Sequence, residues 1–209
     1  MRSLRRRAAL ALTLMVACAA LVTRPAMAGA PLEQLKTQVD RVLKVLDDSE
    51  LRREGRVKER AAAVRKIANE IFDFGETARR SLGRHWQART AAEQTEFVEL
   101  FSDLLERSYL SKIELYGGEK IQYTGDKIEG DQASVMSKLL TKTNTEVPIE
   151  YRMLKKGERW LVYDVIIEGV SLVSNYRTQF NKIIQTSSYQ ELLKKMKSKQ
   201  EELAAGTPS

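Results

Sequence analysis

Residues 160–180, WLVYDVIIEGVSLVSNYRTQF, decide the fold of this chain. The first half, Trp160 to Ile167, is dense in β-branched and aromatic residues, which favour a largely buried strand. Glu168 and Gly169 end that strand, and Ser171 stands where the N-cap of a helix belongs. The helix that follows carries one apolar face, formed by Leu172, Tyr176, Phe180 and Ile184. Because neither half contains an obvious nucleophile, base or metal site, the stretch indicates a binding cavity.

The first 28 residues have the pattern of an export signal. Four arginines within residues 2–7 precede an uncharged apolar run from Ala8 to Val22. The tripeptide Ala26-Met27-Ala28 then offers the small side chains that a signal peptidase requires. A poorer lipoprotein-like pattern ends at Cys18, so lipidation of that residue stays open. We therefore predict a signal peptide over residues 1–28 and an exported mature protein.

Removing this leader changes the charge argument. The whole chain has 35 Lys and Arg against 28 Asp and Glu, a formal net charge of +7. Five of the arginines and none of the acids lie in the leader, so the mature chain has a formal charge of +2. Nucleic-acid binding by a concentrated basic surface loses its support. The only cysteine also lies in the leader, so a buried core and no disulfide must stabilise the mature protein.

Residues 29–209 are long enough for one domain with a sizeable core, and no repeat or linker divides them. Apolar spacings of three and four predict a first helix after Pro31, which ends at Asp47-Asp48-Ser49. A second helix is predicted from Val57 to Phe72. Gly75 and Gly83 are predicted to bound a short third helix. The end of the chain, from about residue 200, is predicted to fray.

Two capping boxes predict where later helices begin. Thr90 and Glu93 can satisfy each other's free backbone N–H groups at the start of a long helix, which Gly117-Gly118 then ends. Ser188 and Glu191 form the same pattern before the last helix. Both helices are amphipathic, and an apolar stripe of this kind normally packs into a core. Tyr109 stands out because its phenol lies on an otherwise apolar face of the long helix.

After Gly118 the apolar residues alternate, which predicts four strands joined by short turns. Lys138, Glu146, Glu150 and Arg152 alternate with the apolar residues, so only one face of the sheet is predicted to be buried. The predicted fold is therefore α+β, with a four-stranded antiparallel meander curved around helices. Periodicity does not decide whether the interior is packed or encloses an apolar cavity.

Several segments in register resemble one protein family. They are YDVIIEGVSLVSNYRTQF (163–180), FDFGETARRSLGRHWQART (72–90), AAEQTEFVELFSDLLERSYLSKIELYGG (91–118) and VPIEYRM (147–153). Together they resemble the MlaC family, also called the toluene-tolerance or auxiliary-transport family, over nearly the whole mature chain. The resemblance implies a cystatin- or NTF2-like sheet with a deep apolar cavity for acyl chains.

The resemblance also implies a function. A member of this family would be a periplasmic carrier of phospholipid between an outer-membrane lipoprotein complex and an inner-membrane ABC transporter with an MCE-domain subunit. Such transport serves the lipid asymmetry of the outer membrane. Some relatives are associated with hopanoids, so the resemblance leaves the lipid open. Phospholipid would be the cargo, and no cofactor is implied.

The composition agrees with a carrier. Each CH₂ group exposed to water costs about 0.8 kcal/mol, so a carrier must bury the acyl chains of its cargo. It needs no nucleophile, metal or phosphate-binding loop of its own. His85 is the only histidine, and a zinc site needs three or four ligands. We therefore predict that the protein is not an enzyme.

Thirteen residues are predicted to line the cavity, from the long helix, the sheet and the helix after Gly169. By resemblance, Tyr109, Val147 and Val170 occupy positions near the acyl chains. Any of the thirteen could instead belong to a closed core. The predicted lining residues are Phe101, Leu104, Leu105, Tyr109, Val135, Leu139, Val147, Ile149, Tyr151, Val170, Leu172, Val173 and Tyr176.

Two other classes of function remain. Asp164 or Glu168 could act as a general base if an apolar pocket raised its pKa, although hydrogen bonding to the backbone or pairing with an arginine is the simpler role. A module that only docks proteins would use the exposed Arg and Lys residues of the helices. A monomer is predicted, since no coiled-coil heptad stands out.

Overall fold

The fold is described from a computed structural model, which covers residues 30–53, 55–114 and 116–205. The predicted signal peptide and Cys18 lie outside the described residues. Six helices span Ala30–Asp47 (α1), Val57–Ile71 (α2), Phe74–Leu82 (α3), Ala91–Glu114 (α4), Leu172–Thr186 (α5) and Tyr189–Ala204 (α6). A 3₁₀ turn, Gly83–His85, follows α3.

The helices begin at the polar side chains that the sequence indicates. The Thr90 hydroxyl accepts from the Glu93 N–H at 3.2 Å, and the Glu93 carboxylate accepts from the Thr90 N–H at 2.8 Å. This confirms the predicted capping box of α4. The hydroxyls of Ser171 and Ser188 likewise cap α5 and α6 by accepting from N–H groups three residues later.

Two helix boundaries differ from the prediction. Helix α3 begins at Phe74, so Gly75 lies inside it. The reason is Asp73, whose carboxylate accepts from the Glu76 N–H at 3.0 Å and caps the helix one residue before the glycine. Helix α6 continues past residue 200, where the Gln200 side chain donates to the Leu100 carbonyl at 2.8 Å.

The sheet has five antiparallel strands in sequential order. They are Lys120–Glu129 (β1), Gln132–Leu140 (β2), Glu146–Lys156 (β3), Arg159–Ile167 (β4) and Val170–Ser171 (β5). The predicted four-stranded meander is confirmed, and the two-residue β5 is an addition. Glu168 and Gly169 have φ angles of 51° and 81°, so they form a tight turn that brings Val170 back to pair with Ile167.

The apolar side chains form two separate clusters. The first, here called the helical core, lies among α3, α4, α5 and α6 and contains Phe97, Phe101 and Phe180. The second, here called the sheet core, lies where α1 and α2 pack on one face of the sheet, and it contains Val135, Met153 and Val162. We call this face of the sheet the inner face. The helical core therefore holds α3, α4, α5 and α6 together, and the sheet core holds α1 and α2 against the sheet.

Candidate functional site

Along β2, β3 and β4, the inner face of the sheet changes gradually from closed to open. The strand register places its side chains in four cross-strand rows. The rows are, in order, Ile128–Ala133–Met153–Val162, then Asp126–Val135–Tyr151–Val165, then Tyr123–Ser137–Ile149–Ile167, and finally Ile121–Leu139–Val147. Val162 is fully buried, whereas Ile149, Leu139 and Val147 are half-buried and Ile167 is 40% exposed. The face therefore ends in an apolar surface that α1 and α2 do not close.

Five of the predicted site residues lie on this face. Val135 is fully buried in the sheet core, and Tyr151 packs against it. Leu139, Val147 and Ile149 form the open part, in the last two rows. Their register brings them together as a continuous patch, because Leu139 pairs with Val147 and Ile149 follows on the same face of β3.

Three hydroxyl groups lie where the closed and open halves of the inner face meet. Tyr123 is the direct cross-strand partner of Ser137, and Tyr151 lies beside them on β3. Burial raises the pKa of the Tyr123 phenol, and the neighbouring Tyr151 and Asp40 add to that rise. Burial also raises the pKa of Tyr151, partly opposed by the Ser137 hydroxyl. These hydroxyls therefore stay protonated and uncharged at neutral pH.

The sequence analysis included Tyr151 but missed Tyr123 and Ser137. The available signal was the alternation of strand β2, in which Ser137 takes an inner position between Val135 and Leu139. A serine at a position that should be apolar could have been recognised as a polar group inside the predicted cavity. Tyr123 could have been recognised only from the strand pairing, which the sequence does not state.

Four of the predicted residues belong to the helical core. Phe101 is fully buried and packs edge-to-face against Tyr176 and Phe180, with ring centroids 4.9 and 5.1 Å away. Leu104 and Leu105 are nearly as buried in the same cluster, and Leu172 packs against it. These contacts are typical of a closed, well-packed core, and they hold α3, α4, α5 and α6 together.

Tyr109 and Tyr176 place a second pair of phenols at the edge of the helical core. Both side chains are half-buried. Burial raises the pKa of Tyr176 to about 12, and the Tyr109 phenol adds to that rise. Burial also raises the pKa of Tyr109, against which a hydrogen bond with Tyr176 acts. The two hydroxyls are therefore neighbours and share a hydrogen bond across α4 and α5.

The remaining predicted residues flank the turn between β4 and β5. Val170 is 62% exposed, and its strand partner Ile167 is 40% exposed. Val173 is buried at the start of α5. The thirteen residues therefore divide between the two cores, the open patch and this turn. Among the described residues they do not form one cluster.

Asp164 has a structural role in this geometry. Its carboxylate accepts from the Ser171 hydroxyl at 2.6 Å and from the Val173 N–H at 3.0 Å. An Arg152 nitrogen lies 3.8 Å from the same carboxylate. The carboxylate thus ties β4 to the start of α5, and its hydrogen-bonding capacity is used by the protein itself. Glu168 is exposed in the turn, outside any apolar pocket.

The described residues offer few other candidates. The His85 ring lies 3.0 Å from the Asn181 side-chain oxygen. In residues 30–53, 55–114 and 116–205, no group of three or more His, Cys, Asp or Glu side chains could hold a metal ion. No described helix is long and apolar enough to cross a membrane. A groove of about 370 Å³ lies between α1, α2 and β4, and none of the thirteen predicted residues lines it.

Comparison with known proteins gave three results. The sequence model of the family described as "MlaC protein" matches residues 36–198. The "Intermembrane phospholipid transport system binding protein MlaC" of Haemophilus influenzae is 26% identical over 120 residues, which cover 55% of this chain and 56% of that protein. The alignment thus spans about half the length of that relative.

The third result is a solved structure. It is a phospholipid-binding protein from Ralstonia solanacearum in complex with a phospholipid, and it resembles this chain with a TM-score of 0.74 at 26% sequence identity. The similarity covers 83% of this chain and 98% of that one. The arrangement of helices and antiparallel sheet described above is therefore also the arrangement of a protein that holds a lipid.

Proposed function

This chain belongs to the MlaC family, and from that premise we propose that it binds phospholipid and carries it through the periplasm. The proposal is supported by the two relatives, one named for an intermembrane phospholipid transport system and one solved with a phospholipid. The finer part of the proposal is the route. The protein would shuttle lipid between an outer-membrane lipoprotein complex and an inner-membrane ABC transporter with an MCE-domain subunit.

The observation that carries the proposal is the open half of the inner face. Leu139, Val147 and Ile149 present a continuous apolar patch that α1 and α2 leave only partly buried. A lipid lying on this patch would remove the side chains and its own acyl chains from water together. Each CH₂ group buried in this way contributes about 0.8 kcal/mol, so two long chains supply ample free energy for retention.

We assign the thirteen predicted residues two different duties within this proposal. The half-buried or exposed ones would contact the acyl chains. The buried ones would form the walls that support the contact surface, so their substitution would act through stability. The proposed contact residues are Tyr109, Leu139, Val147, Ile149, Tyr151, Val170, Leu172 and Tyr176, and the supporting residues are Phe101, Leu104, Leu105, Val135 and Val173.

The proposed activity is binding without catalysis. The hydrogen bonds that Asp164 makes to Ser171 and Val173 favour a structural duty over that of a base. Transport by a carrier needs no bond to be broken in the cargo, and the energy for net movement would come from the membrane complexes. Residues 1–28 would direct export, in keeping with a periplasmic site of action.

The test is the lipid content of the exported protein, purified without detergent. Native mass spectrometry should show a bound phospholipid, and Ile149→Asn should lose it while remaining folded, because a buried amide opposes an acyl chain. Ile128→Asn is the matched control. Ile128 lies on the same face of the sheet, is 40% exposed, and sits opposite Ala133, at the end of the sheet away from the apolar patch.

Two results would contradict the proposal. One is a wild-type protein that holds no lipid and takes none from vesicles. The other is equal lipid loss in both variants, which would show that the open patch has no special part in retention.

A further inference from the structure

The hydroxyl cluster of Tyr123, Ser137 and Tyr151 is not explained by folding. The Ser137 side chain is only 3% exposed, and its hydroxyl acts on the neighbouring Tyr151 phenol but has no hydrogen bond of normal geometry among the described residues. The buried Tyr123 hydroxyl likewise has no partner in the part of the chain that the structure describes. A buried polar group without a partner costs about 1–3 kcal/mol, so two of them together in one row of the sheet represent a considerable loss of stability.

The position of the cluster connects it to the open patch. Tyr123, Ser137 and Ile149 are neighbours in one cross-strand row, and Leu139 and Val147 form the next. A molecule lying on the apolar patch would therefore reach these hydroxyls without leaving the inner face. Valine or phenylalanine at the same positions would fill the space without the polar cost, as Val135 does one row away.

The chemistry of the cluster selects an uncharged oxygen. A hydroxyl can donate to a carbonyl oxygen, and phenols and a serine can converge on one acceptor. The charged group that acts on Tyr123 from outside the cluster is the Asp40 carboxylate of α1. Its negative charge opposes a phosphate at this position.

We propose that Tyr123, Ser137 and Tyr151 form a hydrogen-bonding subsite for the ester carbonyl oxygens of a bound diacyl lipid. This inference rests on the proposed lipid-binding function and adds a chemical selection to it. The apolar patch would hold the acyl chains without regard to how they are linked to glycerol. The hydroxyl cluster would distinguish an ester from an ether, which lacks the carbonyl acceptor.

The test is a competition between two lipids that differ only in this group. Delipidated wild-type protein is equilibrated with vesicles containing equal amounts of dipalmitoyl phosphatidylcholine and its dihexadecyl ether analogue. Native mass spectrometry separates the two complexes by mass. We expect about a tenfold preference for the ester lipid, since an ether would leave buried hydroxyls unpaired.

Three variants assign the preference to the cluster. Ser137→Ala, Tyr123→Phe and Tyr151→Phe each remove a hydroxyl while keeping most of the side-chain shape. Each should bring the ratio of ester to ether lipid closer to one. Tyr189→Phe is the control, because its hydroxyl donates to the Glu93 carbonyl in the helical core, at 3.1 Å, and should not affect the ratio.

The outcomes separate this inference from the proposed function. If wild-type protein binds both lipids equally, the subsite is overturned, water alone serves the hydroxyls, and the carrier function stands. If the preference exists but persists in all three variants, the carbonyls bind elsewhere and the subsite is again overturned. If neither lipid binds, the proposed function fails and this inference fails with it.

Discussion

The helical core and the open half of the inner face are both apolar, yet they differ in how completely they are filled. Phe101 in the helical core is fully buried and touches the rings of Phe97, Tyr176 and Phe180. Ile149 on the inner face is only half-buried, and it lies beside Ser137 in the hydroxyl cluster. One region therefore satisfies its side chains within the chain. The other leaves apolar surface and hydroxyl groups available for contact with a ligand, which under our proposal is the lipid.

This difference predicts which apolar substitutions affect stability and which affect lipid binding. Substitution in the helical core should act on stability first, because every contact there is internal. Substitution on the open patch should act on the cargo first, because water already reaches the side chains in the free protein. We therefore expect apolar side chains to have two roles: the fully buried ones stabilise the fold, and the partly exposed ones contact the cargo.

The largest effect is expected from Phe101→Ala. Removing a fully buried aromatic ring from a packed core costs about 3–5 kcal/mol, measured as the free energy of unfolding in urea. Ile149→Ala is the matched comparison, with an expected cost of about 1 kcal/mol, since its side chain is only partly removed from water on folding. Equal costs for the two variants would break the comparison between the regions.

The next largest effect is the contribution of Glu76 to stability, which depends on pH. Hydrogen bonds from Arg79 first, and then from Arg80, lower the pKa of this carboxyl on α3, against the opposing effect of burial. The carboxylate accepts from both arginines at 2.6 Å. A lowered pKa means that this stabilisation is present above the ordinary value of 4.5 and is lost as the pH falls through the lowered value.

Glu76→Gln tests this point. At pH 7 the variant should be less stable than wild type by about 1–3 kcal/mol, because it loses charged hydrogen bonds in a mostly buried position. The difference in the free energy of unfolding should narrow as the pH falls below 4.5. A difference that stays constant across this range would contradict the assignment. As the pH falls, the protection factors for amide exchange should decrease in α3 before they decrease in β2.

The smallest effect is expected from Thr90→Ala at the start of α4. Loss of an N-cap costs about 1 kcal/mol of the free energy of unfolding. The capping box lies in the helical region, away from the hydroxyl cluster, so lipid occupancy by native mass spectrometry should not change. Ala91→Ser, which leaves the box intact, serves as a control for substitution near the cap. A loss of lipid from Thr90→Ala but not from Ala91→Ser would contradict the comparison, because a contact that only stabilises a helix would then affect the cargo.

Much of the fold could be predicted because its signals are local. A hydroxyl followed three residues later by Glu marks a helix start whether or not the rest of the chain is present, as at Thr90. Alternation of apolar residues likewise marked the four long strands. The two-residue β5 escaped prediction because two residues carry no period, and only the turn at Glu168 and Gly169 brings Val170 back to β4.

The candidate site was less predictable for a physical reason. Phe101 and Ile149 are both apolar residue types, and the periodicity of the sequence places both on inward faces. Whether an inward face is filled depends on what packs against it, and that is decided by elements far away in the chain. The helical rings close over Phe101, whereas α1 and α2 stop short of Ile149.

The sequence by itself determined the order of helices and strands, their caps and turns, and which side chains face inward, because these depend on neighbours a few residues away. Its motifs also pointed to the family. Only the tertiary structure decided how the inner face is divided into a closed and an open half. The same holds for the meeting of Tyr123, Ser137 and Tyr151, since strand register joins residues from three separate segments and neither composition nor period specifies that register.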